Sequence, residues 1–300
     1  MEYFLQQALN ALSTGGEYAL LALGLAIVFS VMGLVNFAHG ETITIGGYTM
    51  YALFIFAAPT NAWVLLPIGI LAAVAASLTF ERVAFRPVRN APATTGLLTA
   101  FGVSIIIKNF FVTVVATRPK AVPTPDWLNT QIPLGPVSIQ TLQVLEAVVT
   151  FGALIILLAV LRGTTLGLSM RAAAKDFNTV RLMGIRANQV VAAAFFISGL
   201  LAGLAAIFII ARRGSVDPFM GFIPVLKAFV AAVIGGFGSL PGAVIGGFVL
   251  GITEVVFQVI LPDKIAGYRD AFVFTLVGML LIMRPQGIYG QKLELGEKGG

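Results

Sequence analysis

The chain has 300 residues and a mass of 31.6 kDa; 58% of its residues are hydrophobic and only 11% are charged. Because a soluble domain carries about 25% charged residues, this composition excludes a soluble enzyme, a disordered chain and a nucleic-acid-binding protein. The sequence has no cysteine and one histidine, which excludes disulfides, thiol catalysis and a multi-histidine metal site. A net charge of +6 is then best explained by the loops of a membrane protein.

Long apolar runs, rather than alternating apolar and polar residues, predict transmembrane helices instead of a β-barrel. The runs cover residues 18–35, 42–58, 62–80, 94–116, 141–161, 190–211, 222–261 and 270–283. A span needs about 20 such residues. The sequence therefore predicts an all-α, polytopic transmembrane helical bundle of eight or nine spans, with broken or re-entrant glycine-rich segments, in one domain over residues 1–300.

Three polar segments interrupt or follow these runs. Residues 117–138 are rich in proline and predict an ordered external loop, residues 162–189 are amphipathic, and residues 285–300 form a polar tail. Eleven basic residues fall in segments 82–89, 162–186 and 284–300, whereas six fall in the loops of the opposite side, which include a predicted turn at residues 212–221. The excess of basic residues predicts that the first group is cytoplasmic, with the C-terminus inside. The N-terminus is outside if every run spans fully.

An internal repeat appears at a constant offset of 200 residues. The matching residues are Phe37, Ile45, Gly46, Gly47 and Tyr48 in one copy and Phe237, Ile245, Gly246, Gly247 and Phe248 in the other. Both copies follow a polar or glycine-rich break, at residues 36–41 and 235–242. Because a broken backbone exposes polar groups that hydrocarbon cannot satisfy, such paired breaks predict a translocation pathway.

Several motifs together resemble one known family. They are residues 33–41 (GLVNFAHGE), 167–174 (GLSMRAAA) running to 182–185 (LMGI), 235–243 (GGFGSLPGA), and 268–270 (YRD) with 284–287 (RPQG). These stretches resemble the membrane permease of branched-chain amino acid ABC importers, and in particular the first of the two paired permeases. The resemblance spans nearly the whole chain.

The resemblance implies a heteromeric importer in the bacterial inner membrane. Its expected partners are a related second permease, two cytoplasmic ABC ATPases, a periplasmic substrate-binding protein and membrane lipid, but no nucleic acid. The sequence lacks a G-x-x-x-x-G-K-[ST] motif, so we expect no cofactor in this chain and ATP bound by the partner ATPases. This chain is then a transport subunit and not an enzyme. The family also includes importers of urea and short amides, which stay as alternative substrates.

With separate ATPases, the amphipathic segment 162–189 becomes the expected coupling element. The candidate coupling residues are Arg171, Ala172, Ala173, Ala174, Asp176, Met183 and Gly184. The three alanines allow close approach, and Gly184 is expected to end the helix. Arg171 occupies the position at which ABC coupling loops generally carry glutamate, so a glutamate salt bridge is not carried over. The alternative is an ordinary solvated loop.

The candidate pathway residues come from the two breaks and the repeat. They are Asn36, His39, Gly40, Glu41, Gly46, Gly238, Ser239, Pro241, Gly242 and Gly246. Ionisable groups inside a membrane are costly and usually functional. The alternatives are helix capping by Asn36 and Glu41, and tight helix packing by the glycines and serine of the second break.

Two further charged residues lie within apolar runs. Glu254 is predicted to pair with Lys227, whereas Lys108 is interpreted as structural. A different function class remains open at this point, namely an ion-coupled secondary carrier that uses His39, Glu41 and Glu254. An intramembrane enzyme is disfavoured because the sequence offers no histidine-rich metal motif, cysteine nucleophile or aspartate dyad.

Overall fold

A computed structural model describes residues 2–56, 62–89, 91–115, 117–134, 137–175, 180, 183–262, 264–284 and 286–289. The described helices are α1 (Glu2–Met32), α2 (His39–Phe56), α3 (Ala62–Thr79), α4 (Ala93–Val114), α5 (Thr141–Gly163), α6 (Thr165–Lys175), α7 (Ala187–Arg213), α8 (Phe222–Gly235), α9 (Leu240–Ile260) and α10 (Arg269–Met283). A π-helical segment, Phe80–Phe85, and one further turn, Arg86–Val88, extend α3. The predicted all-α fold is confirmed.

The remaining regular structure is short. The strands are β1 (Lys120–Ala121), β2 (Gln131–Leu134), β3 (Val137–Gln140) and β4 (Ser215–Val216), and 3-10 turns cover Asp126–Asn129 and Ala266–Tyr268. Strand β1 pairs antiparallel with β4, and β2 pairs antiparallel with β3. The proline-rich segment is therefore an ordered loop with short strands, as the sequence predicts, and it is tied to the segment that follows α7.

Seven of the described helices, namely α1, α3, α4, α5, α7, α9 and α10, are long and apolar enough to cross a membrane. This is fewer than the predicted eight or nine spans, and the difference lies in α2 and α8. Helix α8 has only 14 residues, and α2 starts with the polar residues His39 and Glu41. Both helices follow irregular segments.

The bundle has two ends, which we call the β3 end and the α6 end because α5 runs from β3 to α6. The side chain of Arg89, which follows α3, donates to Asn188 Oδ1 at the start of α7 (2.6 Å). The basic segments 82–89 and 162–186 therefore meet at the α6 end. In contrast, Lys120 pairs with Val216 beyond the other end of α7. Arg89 and Lys120 thus lie at opposite ends of α7.

Helix α1 lies at the centre of the bundle and packs against α5, α7, α8 and α9. Small residues allow the closest of these crossings: a Cβ added to Gly247 of α9 would lie 2.5 Å from the backbone nitrogen of Ala19. Close packing of small residues is the usual way in which helices associate in a membrane. The peripheral helices α4 and α5 instead expose apolar side chains such as Ile105 and Ile155, which suits contact with lipid.

Candidate functional site

The first predicted break, residues 36–41, overlaps an irregular segment, residues 33–38, which leads from the end of α1 to a helix that starts inside the bundle. His39, the first residue of α2, is buried with its Nδ1 3.0 Å from Ser198 Oγ. Its ring also lies where a Cβ on Gly24 of α1 would approach within 2.6 Å. Ser198 stands near the middle of the 27-residue α7. An irregular backbone at this depth must face protein or water rather than lipid.

Two polar groups at this break have no partner among the described residues. Asn36 Oδ1 and His39 Nε2 are buried and make no hydrogen bond. The backbone nitrogen of His39 donates to the Asn36 carbonyl (3.2 Å), but the Asn36 side-chain oxygen caps nothing in this part of the chain. The capping interpretation of Asn36 was therefore wrong.

Glu41 forms an ion pair that connects α2 with α4. Its Oε1 accepts from Ser104 Oγ (2.8 Å) and lies 3.5 Å from Lys108 Nζ. Its Oε2 is buried without a partner among the described residues. Lys108 Nζ lies 4.0 Å from the ring centroid of Phe222, the first residue of α8. Because Glu41 reaches across to another helix, it does not cap its own, and capping was wrong here too.

Aromatic pairs flank this ion pair along the contact between α2 and α4. Phe37 stacks on Phe101 with ring centroids 4.8 Å apart, and Tyr48 stacks on Phe111 at 4.1 Å. We call this contact the α2–α4 seam; it consists of Phe37, Glu41 and Tyr48 on one side and Phe101, Ser104, Lys108 and Phe111 on the other. The spacing of three and four residues along α4 places its members on one helix face.

The start of α2 also meets the start of α8. A Cβ on Gly40 would lie 2.7 Å from the carbonyl oxygen of Gly221, so only glycine permits this approach of two backbones. Each helix N-terminus carries a partial positive charge. Paired half-helices that begin inside the bundle are typical of substrate pathways in transporters. The sequence placed Gly221 in an ordinary turn, so it missed this partner of the first break.

The second predicted break lies between α8 and α9, at the α6 end of the bundle. Ser239 caps α9, because its Oγ accepts from the backbone nitrogen of Gly242 (3.1 Å). Gly242 packs against the Gly235 backbone, and Pro241 occupies the first turn of α9. These contacts match the packing alternative for this break. Gly238 is exposed and adopts a φ of +84°, which favours glycine.

The repeated glycines serve helix contacts in both copies. Gly46 of α2 packs against α3, where a Cβ would lie 3.1 Å from the Gly69 carbonyl oxygen. Gly246 of α9 packs against the Ala231 carbonyl of α8. The two copies of the repeat thus share tight packing but not depth, since α2 starts inside the bundle and α9 starts near its end.

An aromatic residue of α8 links the two breaks. The ring of Phe229 lies 5.3 Å from that of Phe37 and 5.4 Å from that of Phe237. Phe237 also contacts Phe29 of α1, with centroids 4.6 Å apart. The first residue of each repeat copy therefore belongs to one aromatic cluster.

An open cavity of about 380 Å³ lies at the α6 end. Its walls come from the end of α1, from Ala173 and Ala174 of α6, and from Gly238 of the second break. The two predicted groups of functional residues, pathway and coupling, thus meet at this cavity.

The orientation of α6 differs from the expectation in one respect. Ala173 is 3% exposed and packs into the core, so it is not available to a partner. Leu168 is 60% exposed, Ala174 is exposed and Ala172 is half-buried. Leu168 therefore lies on the side that faces away from the bundle, whereas Met170 and Ala173 lie on the buried side.

Arg171 has a structural contact that the sequence did not predict. Its guanidinium donates to the carbonyl oxygen of Leu161, which ties α6 back to the end of α5. Asp176 lies outside the described residues. Met183 is exposed, and Gly184 has a φ of +78°, the conformation expected of a residue that follows a helix.

A second buried charge cluster lies among α1, α8, α9 and α10. Lys227 Nζ lies 2.9 Å from both oxygens of Glu254, 3.1 Å from Tyr18 Oη and 3.1 Å from Asp270. Tyr18 donates to Glu254 (2.5 Å), and Arg269 adds an ion pair to the same carboxylate (2.9 Å). The predicted pairing of Glu254 with Lys227 is confirmed, and we call this group the Lys227 cluster.

A third cluster joins α1, α5 and α7. Arg212 donates to both oxygens of Glu146 (2.7 and 2.8 Å) and lies 3.3 Å from Glu17. Ser13 also donates to Glu146. No group of three metal-ligating side chains occurs among the described residues.

Most of the chain matches a known protein family. Residues 7–283 match the family described as branched-chain amino acid transport system, permease component. The chain belongs to this family. It is 36% identical to the high-affinity branched-chain amino acid transport system permease protein LivH of Salmonella typhimurium and 35% identical to BraD of Pseudomonas aeruginosa, over 96% of each chain.

A more distant similarity covers only part of the chain. The fructose import permease protein FrcC of Rhizobium meliloti is 28% identical over 156 residues, which is 48% of this chain and 42% of FrcC. Membership of the family makes this chain a multi-pass membrane permease component of a transport system, and not an enzyme. The family resemblance in the sequence motifs is confirmed.

The sequence did not identify three residues that contact the first break: Ser104 and Lys108, which bind Glu41, and Gly221, which packs against Gly40. One signal was present, because Ser104 and Lys108 are four residues apart and form a polar stripe on an apolar helix. Within a membrane such a stripe calls for a polar partner. No comparable signal distinguishes Gly221 from the other glycines among the 33 of the chain.

Proposed function

We propose that this permease is a membrane-spanning subunit of an ABC importer that passes branched-chain amino acids to the cytoplasm. The observation that carries the proposal is the 36% identity, over 96% of both chains, to a permease named for high-affinity transport of these amino acids. The proposed complex contains a second related permease, two ATPases that bind ATP, and a periplasmic binding protein. The proposed location is the bacterial inner membrane.

The α6 end is the proposed cytoplasmic side. Two of its three basic segments meet there, in the described contact between Arg89 and Asn188, and an excess of basic residues favours the cytoplasm. The β3 end then faces outward, where the ordered segment 117–134 offers a surface to the binding protein. The tail 285–300 is proposed to be cytoplasmic as well.

Helix α6 is the proposed coupling element, together with Met183 and Gly184. Its exposed apolar residue Leu168 offers a surface for a cleft on an ATPase, and the cavity beside Ala174 gives the helix room to move. Because Ala173 packs into the core and Arg171 binds the end of α5, movement of α6 is transmitted directly to neighbouring helices. Asp176 stays a candidate from the sequence alone.

The pathway is proposed to run along the first break and the start of α2. Asn36, His39, Gly40 and Glu41 combine irregular backbone, unpartnered polar atoms within the described chain and a position inside the bundle. Substrate moves past them when the ATPases close and the permeases rock between outward-open and inward-open states. Gly46, Pro241, Gly242 and Gly246 support this path by fixing the helix contacts around it.

Reconstitution tests the proposed function. We would purify the chain from its native membrane in mild detergent, identify the co-purifying chains by mass spectrometry, and measure uptake of radiolabelled leucine in proteoliposomes. The proposal predicts a second permease, P-loop ATPases and uptake that requires ATP and the binding protein. ATP-dependent uptake of urea but not leucine would overturn the substrate class, and uptake by this chain alone would overturn the importer.

A variant pair tests the coupling element. Replacing Leu168 by Glu places a charge on the surface offered to the ATPase, so we expect leucine uptake to fall at least about tenfold, equivalent to about 1.4 kcal/mol. The matched control, Leu168→Met, keeps an apolar side chain and should transport normally. Since Leu168 is exposed, both variants should insert and assemble alike. Normal uptake by Leu168→Glu would contradict the coupling assignment.

A further inference from the structure

The Glu41–Lys108 pair is incomplete on the carboxylate side. Glu41 is 1% exposed, yet Oε2 has no hydrogen-bond partner among the described residues. In the same part of the chain, Lys108 Nζ makes the 3.5 Å ion pair and the contact with the Phe222 ring. A buried carboxylate oxygen without a donor is costly. A site with an unpartnered buried acceptor beside a cation is suited to a ligand that brings a donor for the first and an anion for the second.

The Lys227 cluster also contains buried atoms without a hydrogen bond among the described residues, namely Asp270 Oδ1 and Arg269 Nε, but the carboxylate of Glu254 at its centre is fully partnered. In the Lys227 cluster, both oxygens of Glu254 and the ammonium of Lys227 have close partners at 2.5–3.1 Å. Glu41 and Glu254 are both buried, so burial alone does not explain the free Glu41 oxygen. The seam also carries a second group without a partner in the described chain, the buried hydroxyl of Tyr48.

The groups around the pair define the ligand chemistry. Oε2 of Glu41 requires a hydrogen-bond donor and favours a cation, whereas Lys108, beside the positive N-terminus of α8, favours an anion. The two charged groups are neighbours in space, as are the ammonium and carboxylate of an α-amino acid. The stacked pairs Phe37–Phe101 and Tyr48–Phe111 on either side offer apolar contact to a side chain.

We propose that the α2–α4 seam opens during transport and that Glu41 and Lys108 then bind the ammonium and the carboxylate of the passing amino acid. This inference rests on the proposed function and names the substrate-contacting residues within it. The aromatic pairs receive the apolar side chain. Only two charged groups hold the ligand, so it binds weakly and leaves readily, as a passage requires.

Cysteine chemistry tests the proposal because the chain contains no cysteine. Ser104→Cys is a near-isosteric change between Glu41 and Lys108. The matched control is Ser77→Cys, a buried serine that donates to the Phe195 carbonyl, away from the seam. Both variants are assembled into the complete importer in nanodiscs, and thiosulfonate labelling of this chain is followed by mass spectrometry while ATP is hydrolysed. Wild-type leucine uptake is measured in parallel.

We expect the thiol of the Ser104→Cys variant to react about tenfold faster than that of the Ser77→Cys variant, since a seam that opens exposes position 104 for part of each cycle. Millimolar leucine should slow the labelling at position 104. Leucinamide, which lacks the carboxylate, and 4-methylpentanoate, which lacks the ammonium, should protect less. Adding Lys108→Met should erase the difference between leucine and leucinamide, and Glu41→Gln should erase that between leucine and 4-methylpentanoate.

Two results would overturn the proposal. One is labelling of the Ser104→Cys variant that is as slow as that of the Ser77→Cys control during ATP hydrolysis. The other is protection that is equal for all three compounds or independent of Lys108 and Glu41. Either result with normal wild-type leucine uptake removes the subsite and leaves the proposed function standing. Absence of wild-type uptake removes the proposed function itself.

Discussion

The Lys227 cluster and the α2–α4 seam each pair a lysine with a buried glutamate, but the two glutamates differ in their partners. In the Lys227 cluster, both oxygens of Glu254 have hydrogen-bond partners, since Lys227 and Tyr18 donate to them, and Asp270 and Arg269 add ion pairs. In the seam, within the described residues, Glu41 keeps a free oxygen and Lys108 one long ion pair. A carboxylate with both oxygens paired holds neighbouring helices together, whereas a carboxylate with an unpaired oxygen can still bind a donor group of a passing substrate.

Their positions agree with this division. The Lys227 cluster joins four helices, α1, α8, α9 and α10, around the central α1. The seam joins α2, which follows a break inside the bundle, to α4, a helix that is largely exposed. We infer that the first cluster contributes stability and that the second contributes to transport.

The largest expected effect on stability comes from breaking the Lys227 cluster. Replacing Lys227 by Met leaves Glu254 and Asp270 buried or half-buried with fewer cations, which should lower the free energy of unfolding by about 3–5 kcal/mol. Arg213→Met is the matched control, because Arg213 is exposed and lies 3.7 Å from Asp217; it should cost at most about 1 kcal/mol. Unfolding in detergent, followed by circular dichroism, measures both. Equal stability of the two variants would refute the structural role of Lys227.

A smaller effect on stability is expected from removing one tyrosine hydroxyl in each region, Tyr18 in the Lys227 cluster and Tyr48 in the seam. Tyr18→Phe removes a hydroxyl that donates to Glu254 and accepts from Lys227, so the free energy of unfolding should fall by about 1.5–3 kcal/mol. Tyr48→Phe removes a hydroxyl that has no partner among the described residues, so the stability should hardly change. The same unfolding measurement compares the two proteins. A loss for Tyr48→Phe as large as that for Tyr18→Phe would show that the seam is as complete as the Lys227 cluster.

The sequence predicted the fold class and one of these two clusters. Glu254 and Lys227 stand alone in apolar runs, and an isolated charge in a membrane needs a partner, so their pairing followed from composition. Lys108 was interpreted as structural, and its partner Glu41 was a candidate pathway residue with helix capping as the alternative. Because each residue had its own local explanation, the sequence did not indicate that Glu41 and Lys108 form a pair.

The sequence also could not predict how deep in the bundle each break lies. Residues 212–221 read as a turn, and α8 begins where Gly221 meets Gly40 of another helix. That contact depends on how α2 and α8 pack, which hydropathy does not encode. In α6, the triple alanine was predicted to approach the ATPase, but Ala173 packs into the core, and that side follows from the contacts with α1, α5 and α7.

One matched change at the two buried carboxylates tests the division between stability and transport most directly. Glu41→Gln and Glu254→Gln make the same isosteric substitution, and each variant is measured for unfolding in detergent and for ATP-dependent leucine uptake in the complete importer. The account predicts that Glu41→Gln keeps wild-type stability and loses uptake, whereas Glu254→Gln loses stability. Normal uptake by a stable Glu41→Gln protein, or wild-type stability of Glu254→Gln, would contradict it.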